Sequence, residues 1–309
     1  MSLWVNVFYL KSIDCFFSLS VFSEVFTQVR LFVEHLLHFM DIDKIHLSSP
    51  LWGVGADECG VLMHHFKIFC LLLAITIPTS AFSSSFSLGV QTELESQAYK
   101  AKRTHFYAIP YVGYDNDVWY VDGIETGFYL LKDAENELKL KAYYYYEDAY
   151  RPEDGHGEAM QRLNKRRATV MSGISYQRIT PWGALFTQVA ADTLNNSKGV
   201  VATAAYIGEL NVNSVMLYGE IGTDWSNAQQ TRYYYGISQE EADRSGLNEY
   251  RPHQSLTPFI MLAAEYKFTQ FWEGYIESRY NFLSKTVRHS PMVDRDGTYN
   301  FVIGLNYNF

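Results

Sequence analysis

The chain closes on Y-N-F-V-I-G-L-N-Y-N-F, from Tyr299 to Phe309, alternating large apolar residues with mostly small or polar ones. Successive side chains of a strand point to opposite faces. Tyr299, Phe301, Ile303, Leu305, Tyr307 and Phe309 therefore share one face, and Asn300, Val302, Gly304, Asn306 and Asn308 share the other. Chain ends of soluble domains are usually frayed and polar, so a terminus this apolar needs a cover. The core of a soluble sandwich would serve. Hydrocarbon would serve too, because transmembrane barrels are built from strands of about 10 residues, apolar outside and polar inside, with aromatic girdles at both interfaces. Alternation alone does not separate the two.

The same period recurs at 87–95, 105–114, 118–131, 137–147, 168–178, 182–192, 200–208, 213–224, 255–268, 271–282 and 298–309. No stretch holds a helical period over helix length, and strands at such even spacing indicate a barrel or a sandwich. In 137–147, Leu138, Leu140, Ala142, Tyr144 and Tyr146 lie opposite Glu137, Lys139, Lys141 and Glu147. In 271–282, Trp272, Gly274, Ile276, Tyr280 and Phe282 lie opposite Glu273, Tyr275, Glu277, Arg279 and Asn281. Glu137, Lys139, Lys141, Glu273, Glu277 and Arg279 would line a lumen if the sheet closes in a membrane. They would equally suit the wetted outside of a soluble sheet.

The N-terminal part favours the membrane. From Met63 the sequence reads M-H-H-F-K-I-F-C-L-L-L-A-I-T-I-P-T-S-A-F-S-S-S. Lys67 supplies a positive start, Ile68 to Ile77 an apolar stretch of export length, and Thr79-Ser80-Ala81 a small-residue cleavage site. The apolar stretch is too short to span a bilayer, which takes about 20 residues. Residues 63–81 therefore read as a secretory signal, 1–62 as an upstream mis-start without assigned function, and 82–309 as the exported domain. Cys15, Cys59 and Cys70 all precede that domain, which consequently has no disulfide or thiolate metal site. The 24 Tyr and 20 Phe suit strands with rings at membrane boundaries. A net charge of -9 opposes nucleic-acid binding, which needs a basic stripe.

The expectation is an all-β fold: a closed antiparallel transmembrane β-barrel in the bacterial outer membrane, closed because open sheet edges cannot lie in lipid. Short turns at 179–181, 209–212 and 269–270 alternate with long loops at 148–167, 193–199, 225–254 and 284–297. Long loops face outward in such barrels, so the termini are periplasmic. Eleven segments conflict with the even strand number of bacterial barrels. The count is twelve if 118–131 bends at Asp122-Gly123, and ten if 87–95 is not a full strand. The modest length of 82–309 favours ten.

Candidate chemistry is sparse. The exported part has only His105, His156, His253 and His289, and no Gly-x-Ser-x-Gly elbow. The loop Glu153-Asp154-Gly155-His156-Gly157-Glu158 could hold a divalent cation, but a solvated polar loop fits it better. His289, Ser290 and Asp294 imitate a triad, though near neighbours in a loop rarely reach that geometry. Neither enzymatic activity nor a cofactor is expected. The basic run Leu163-Asn164-Lys165-Arg166-Arg167 could meet lipopolysaccharide phosphates or simply keep a strand end in water, the second being favoured. Tyr143 to Tyr146 read best as an interfacial girdle. For Tyr233 to Tyr235, loop packing and ligand contact stand even.

Several loop motifs occur in order: Asp192, Asn195, Asn196 and Gly199 in A-D-T-L-N-N-S-K-G; Tyr234, Tyr235 and Gly236 in Y-Y-Y-G-I-S; Ser245 and Gly246 in R-S-G-L; and Ser290, Pro291, Met292 and Asp294 in S-P-M-V-D. Together they resemble the MipA/OmpV family of outer-membrane proteins over about 87–309, while nothing in 1–62 matches. The closing Phe301, Ile303, Leu305, Tyr307 and Phe309 look like the signal read by the outer-membrane assembly machinery. The resemblance implies an outer-membrane barrel in contact with lipid and lipopolysaccharide. For the best-known member it also implies a structural scaffold for murein and cell-envelope assembly, joining a murein transglycosylase to a murein synthase. A small-solute outer-membrane channel is the alternative. Fold and compartment transfer between relatives more securely than function.

Overall fold

The computed structural model describes residues 84–101 and 104–309. The expected signal and the segment before it lie outside the described residues. Twelve strands close an antiparallel barrel: β1 Ser85–Ser96, β2 Thr104–Asp115, β3 Trp119–Asp122, β4 Glu125–Lys132, β5 Asn136–Tyr145, β6 Thr169–Thr180, β7 Gly183–Asp192, β8 Val200–Val212, β9 Val215–Ser226, β10 Ser255–Lys267, β11 Trp272–Phe282 and β12 Gly297–Asn308. Each pairs with its chain neighbours, and β12 returns to β1, from Ser87 opposite Asn308 to Glu95 opposite Asn300. No helix among the described residues is long and apolar enough to cross a membrane, so strands do the crossing.

The expected closed barrel is present, but the preferred count of ten is not. The first strand is full length and paired on both sides. Segment 118–131 is two strands, hinged where Asp122 pairs with Glu125. Gly123 has φ 56° at the first of the two turn positions. A two-residue hairpin needs such a residue there, and glycine takes it without steric penalty. The turn after β8 also falls later than expected, at Asn213-Ser214 rather than 209–212, with Asn213 at φ 57°.

The four-residue β3 reaches only Gly113, Tyr114 and Asp115 of β2. Above them, the Val112 carbonyl accepts from the Gly123 amide at 3.0 Å. By alternation the backbone groups of the even positions in β2 face away from β1. Pro110 is one of these, so its missing N–H removes no bond from the β1 ladder.

The outward face carries a band of exposed Val90, Leu140, Ile174, Val189, Ile221, Leu262 and Ile303. At the end with the short turns, rings of Phe86 and Phe309 lie 5.2 Å apart, Trp272 and Tyr307 5.1 Å, and Tyr114 and Trp119 4.5 Å. These are the apolar band and one girdle of a transmembrane barrel, with the turn end periplasmic.

The opposite, extracellular end bears a lid. Its helices are α1 Glu158–Gln161, α2 Ala228–Tyr235, α3 Gln239–Ser245 and α4 Lys285–Arg288. Segments from every long connection but that between β7 and β8 share one apolar core, including the fully buried Tyr99, Tyr150, Tyr234 and Met292. Local sequence explains the helix ends. Asn227 caps α2 by accepting from the Gln230 amide, Ser238 and Glu241 form a capping box on α3, and Gly246 ends α3 in the left-handed region.

Candidate binding chamber under the lid

Inward positions of the barrel are held by short ion pairs. Lys139 meets Glu137 at 2.5 Å, Lys141 meets Glu125 at 2.6 Å, and Arg279 meets Asp224 at 2.5 Å. Aromatic faces help seat the cations: Lys139 lies 4.7 Å from the Tyr120 ring centre and Arg279 lies 3.6 Å from that of Phe259. Charges can be kept in such an interior because each pair replaces part of the lost hydration.

Between these pairs and the lid lies a chamber of about 150 Å³. Lys141, Glu220, Asp224 and Arg279 reach it from the strands, and Glu147, Asp148, Gln230 and Tyr235 from the lid side. The expected lumen residues therefore do not form one site. Lys141 and Arg279 line the chamber; Glu137 and Lys139 pair nearer the periplasmic end; Glu273 and Glu277 face inward, buried, outside the chamber lining.

The loop motifs turn out to be lid architecture. The Asp192 carboxylate accepts from the amides of Leu194, Ser197 and Lys198 at 3.0, 2.6 and 2.9 Å and from the Thr169 hydroxyl, which knots the loop before β8. Asn195 sits in the left-handed region at φ 63°, and the Asn196 side chain donates to the Ala168 carbonyl at 2.9 Å. At Gly199 a Cβ would come within 2.1 Å of Gln230 Oε1, so α2 packs directly on that backbone. Tyr234 donates to the Arg167 carbonyl at 3.0 Å, and Tyr235 to Asp148 at 2.5 Å. Gly236 closes α2 and offers its carbonyl to Arg166, while the Ser245 hydroxyl accepts from the Leu247 amide. Ser290 donates to the Tyr235 carbonyl at 2.7 Å; Met292 is buried, Pro291 half-buried and Asp294 exposed. Ser290 is thus a structural hydroxyl, and Asp294 contacts Arg295 at 3.9 Å.

Two tyrosine readings change. Tyr144 faces outward as a girdle residue would, but Tyr143 and Tyr145 turn into the chamber and Tyr146 donates to Glu93 at 2.6 Å. In Tyr233 to Tyr235, packing prevails, although Tyr235 also touches the chamber. The basic run is corrected as well: Arg166 is buried and paired with Glu241 at 2.9 Å instead of standing at a wet rim. Around His156, as elsewhere among the described residues, no group of three or more His, Cys, Asp or Glu side chains could hold a metal ion.

Lid-side carboxyls are tuned in opposite directions. Burial pushes Glu147 up to about 7, with Asp148 and Asp224 adding to it and Arg279 opposing. Burial likewise raises Asp148, against the hydroxyls of Tyr145 and Tyr235. Burial would raise Glu241 too, but the Arg166 guanidinium and the amides of Asn164 and Ser238 outweigh it and hold this carboxyl below its ordinary range.

Sequence reasoning missed Glu220, Asp224, Asp148 and Gln230. The first two were open to discovery, since they alternate with the outward Leu217, Ile221 and Trp225 of β9. Asp148 and Gln230 lie in connections, where no periodicity marks the inward side.

The family model described as MltA-interacting protein MipA matches residues 88–309, the barrel and its lid. The chain belongs to the MipA family. A MipA relative, the MltA-interacting protein of Escherichia coli (strain K12), is 35% identical over 249 residues, 79% of this chain and 99% of that protein. Outer membrane protein OmpV of Vibrio cholerae is 23% identical over 49% of this chain and 58% of its own length. The NanC porin structure matches with a TM-score of 0.37 and 12% identity, over 71% of this chain and 98% of that one. As a MipA-family barrel, the protein is an outer-membrane protein.

Proposed function

We propose that the protein is a non-enzymatic scaffold of the outer membrane for murein assembly, holding a murein transglycosylase beside a murein synthase. The observation that carries this reading is similarity over 99% of the length of a relative named for its interaction with MltA. The geometry is compatible with it: a roofed barrel whose interior is crossed by ion pairs is a rigid platform, and its periplasmic turns are the surface nearest murein. The test is affinity capture from native envelopes with the folded barrel as bait. Enrichment of a murein transglycosylase and a synthase is expected, and repeated capture without either would refute the scaffold.

The charged inward face also favours a second reading, a small-solute channel. Planar-bilayer recording separates the two. Single-channel steps would establish conduction, and a silent, correctly folded barrel would remove it.

A further inference from the structure

The barrel wall has a window between β2 and β5, above the β3–β4 hairpin. The Phe86 carbonyl turns toward β12, where it accepts from the Phe309 amide, so the odd residues of β1 carry the bonds to β2. Their partners are odd as well, Glu93 with Tyr107 and Gln91 with Ile109, and the amides of Phe106 and Ala108 point the other way. β3 does not reach them: it pairs no higher than Gly113, and its turn closes on the Val112 carbonyl. β4 pairs with β3 and β5 only. Among the described residues, the Phe106 and Ala108 amides therefore have no acceptor. The open edge lies at lipid depth, since Phe106, Ala108 and Pro110 stand beside Leu94, Thr92 and Val90 of β1, and Leu94 and Val90 are exposed on the lipid face.

Tyr146 independently marks the break. Its ring centre is 5.8 Å from that of the inward Tyr107 and 5.8 Å from that of the outward Tyr144, while its hydroxyl donates to the buried Glu93. One side chain thus runs from the lipid face to the interior where a strand would otherwise stand. An open edge in hydrocarbon has to be covered or wetted. Pro110 bears on which cover fits. Proline blunts an edge against strand addition, and here its missing N–H is on the side an incoming strand would meet. It also leaves only two donors between 106 and 110. Orphaned N–H groups are rarer than under-satisfied carbonyls, so the edge chiefly lacks acceptors. The window is continuous with the lipid-facing band, and the acceptors that a bilayer carries are the ester carbonyls of its lipids.

We propose that the window is a binding site for one diacyl phospholipid of the outer membrane. Its glycerol ester region sinks into the gap, and its two carbonyls accept from the Phe106 and Ala108 amides, which lie about 6.8 Å apart along the strand. Its tails run down the lipid face over Ala108 and Pro110, both exposed and small enough to leave them room. Tyr146 closes the inner side, between the lipid and Glu93. This site stands independently of scaffolding, since it lies in the wall and not at the periplasmic turns.

The test is solid-state NMR of the full-length protein in bilayers of phosphatidylethanolamine labelled with ¹³C at both ester carbonyls, reading ¹³C–¹⁵N dipolar dephasing at the backbone amides. Dephasing is expected at Phe106 and Ala108 and not at Tyr107 and Ile109, whose amides belong to the β1 ladder. Ala108→Pro removes one donor without touching that ladder. It should release the labelled lipid about fivefold faster on exchange into unlabelled bilayers, the loss of one hydrogen bond. Gel mobility before and after heating reports folding; if Ala108→Pro fails to fold, the dephasing map of the unaltered protein decides. Several results would overturn the proposal. Absent dephasing with rapid deuterium exchange at both amides would mean that water fills the window, and absent dephasing with slow exchange that another strand covers the edge. Equal dephasing at the odd amides, unchanged release from folded Ala108→Pro, or displacement of the labelled lipid by equimolar lipopolysaccharide would count against it equally.

Discussion

Across the seam that closes the barrel, the Asn300 side chain on β12 donates to Glu93 Oε1 on β1 at 2.7 Å. Glu93 has no exposed surface, and its other oxygen accepts from Tyr146 at 2.6 Å. The last strand, the first strand and the root of the lid thus converge on one buried carboxylate. Replacing Asn300 by Leu removes a donor from a buried charge, which costs about 1–3 kcal/mol. Denaturant unfolding in bilayers should show that loss, whereas the same change at the outward Tyr299 should leave stability within about 0.5 kcal/mol. Equal effects at both positions would mean that the seam does not depend on Glu93.

The lid should have a stability maximum in pH. Glu241 has a depressed pKa in the folded protein, so its contribution is complete above the unfolded carboxylate range and is lost as pH falls below about 4. Glu147 has the opposite sign. With its folded pKa raised to about 7, its charged form opposes folding, and that opposition grows as pH rises from the ordinary carboxylate range through 7. Protease resistance of the 228–245 segment, followed across pH, should therefore fall on both sides of a mildly acidic optimum. Glu147→Gln should flatten the alkaline limb only. Arg166→Met should cost about 3–5 kcal/mol at neutral pH by leaving Glu241 buried without its cation.

What the sequence made legible was whatever repeats with period two. The outward faces of β5, β11 and β12 follow the alternation residue by residue, because lipid and the closed interior select opposite chemistries at every step. The β3–β4 hairpin was harder, since β3 has only four residues and its glycine turn resembles an interior bend of one long strand. Arg166 and Tyr143 mark a different limit. A charge beside a strand end reads as wet until the lid that covers it is known, and that lid is assembled from loops far apart in the chain. Residues of the chamber such as Asp148 and Gln230 become neighbours only through the same assembly.

Ile303 and Asn306 test the facing assignment, in a form that the structure alters. Ile303 is 47% exposed on the lipid side between Thr92 and Ile276, and Ile303→Arg should cost about 2–4 kcal/mol near the midplane. From alternation alone, Asn306→Arg should be far cheaper, as a polar change on the polar face. Asn306 is in fact only 2% exposed and packed against Gly89, where an added Cβ would meet its Oδ1 at 2.1 Å. The larger side chain would overpack that contact, at about 1–3 kcal/mol. Lipid thickness distinguishes the causes: shorter acyl chains should relieve Ile303→Arg and leave Asn306→Arg unchanged. If both respond alike, one of the two placements is wrong.

Phe309 joins a seam contact to the alternating pattern of β12. Its amide donates to the Phe86 carbonyl at 2.9 Å, and its ring lies 4.8 Å from that of Tyr307. We propose that Phe301, Ile303, Leu305, Tyr307 and Phe309 are also read by the outer-membrane assembly machinery, before any of these contacts exist. The two roles respond differently to substitution. Phe309→Ala keeps the backbone bond, so equilibrium stability in lipid should fall by no more than the rim packing of one ring, about 1–2 kcal/mol. Insertion catalysed by the purified machinery should slow well beyond what unassisted folding into the same lipid shows, and a polar tail after Phe309 should do the same. Parallel slowing of assisted and unassisted insertion would reduce Phe309 to a girdle residue.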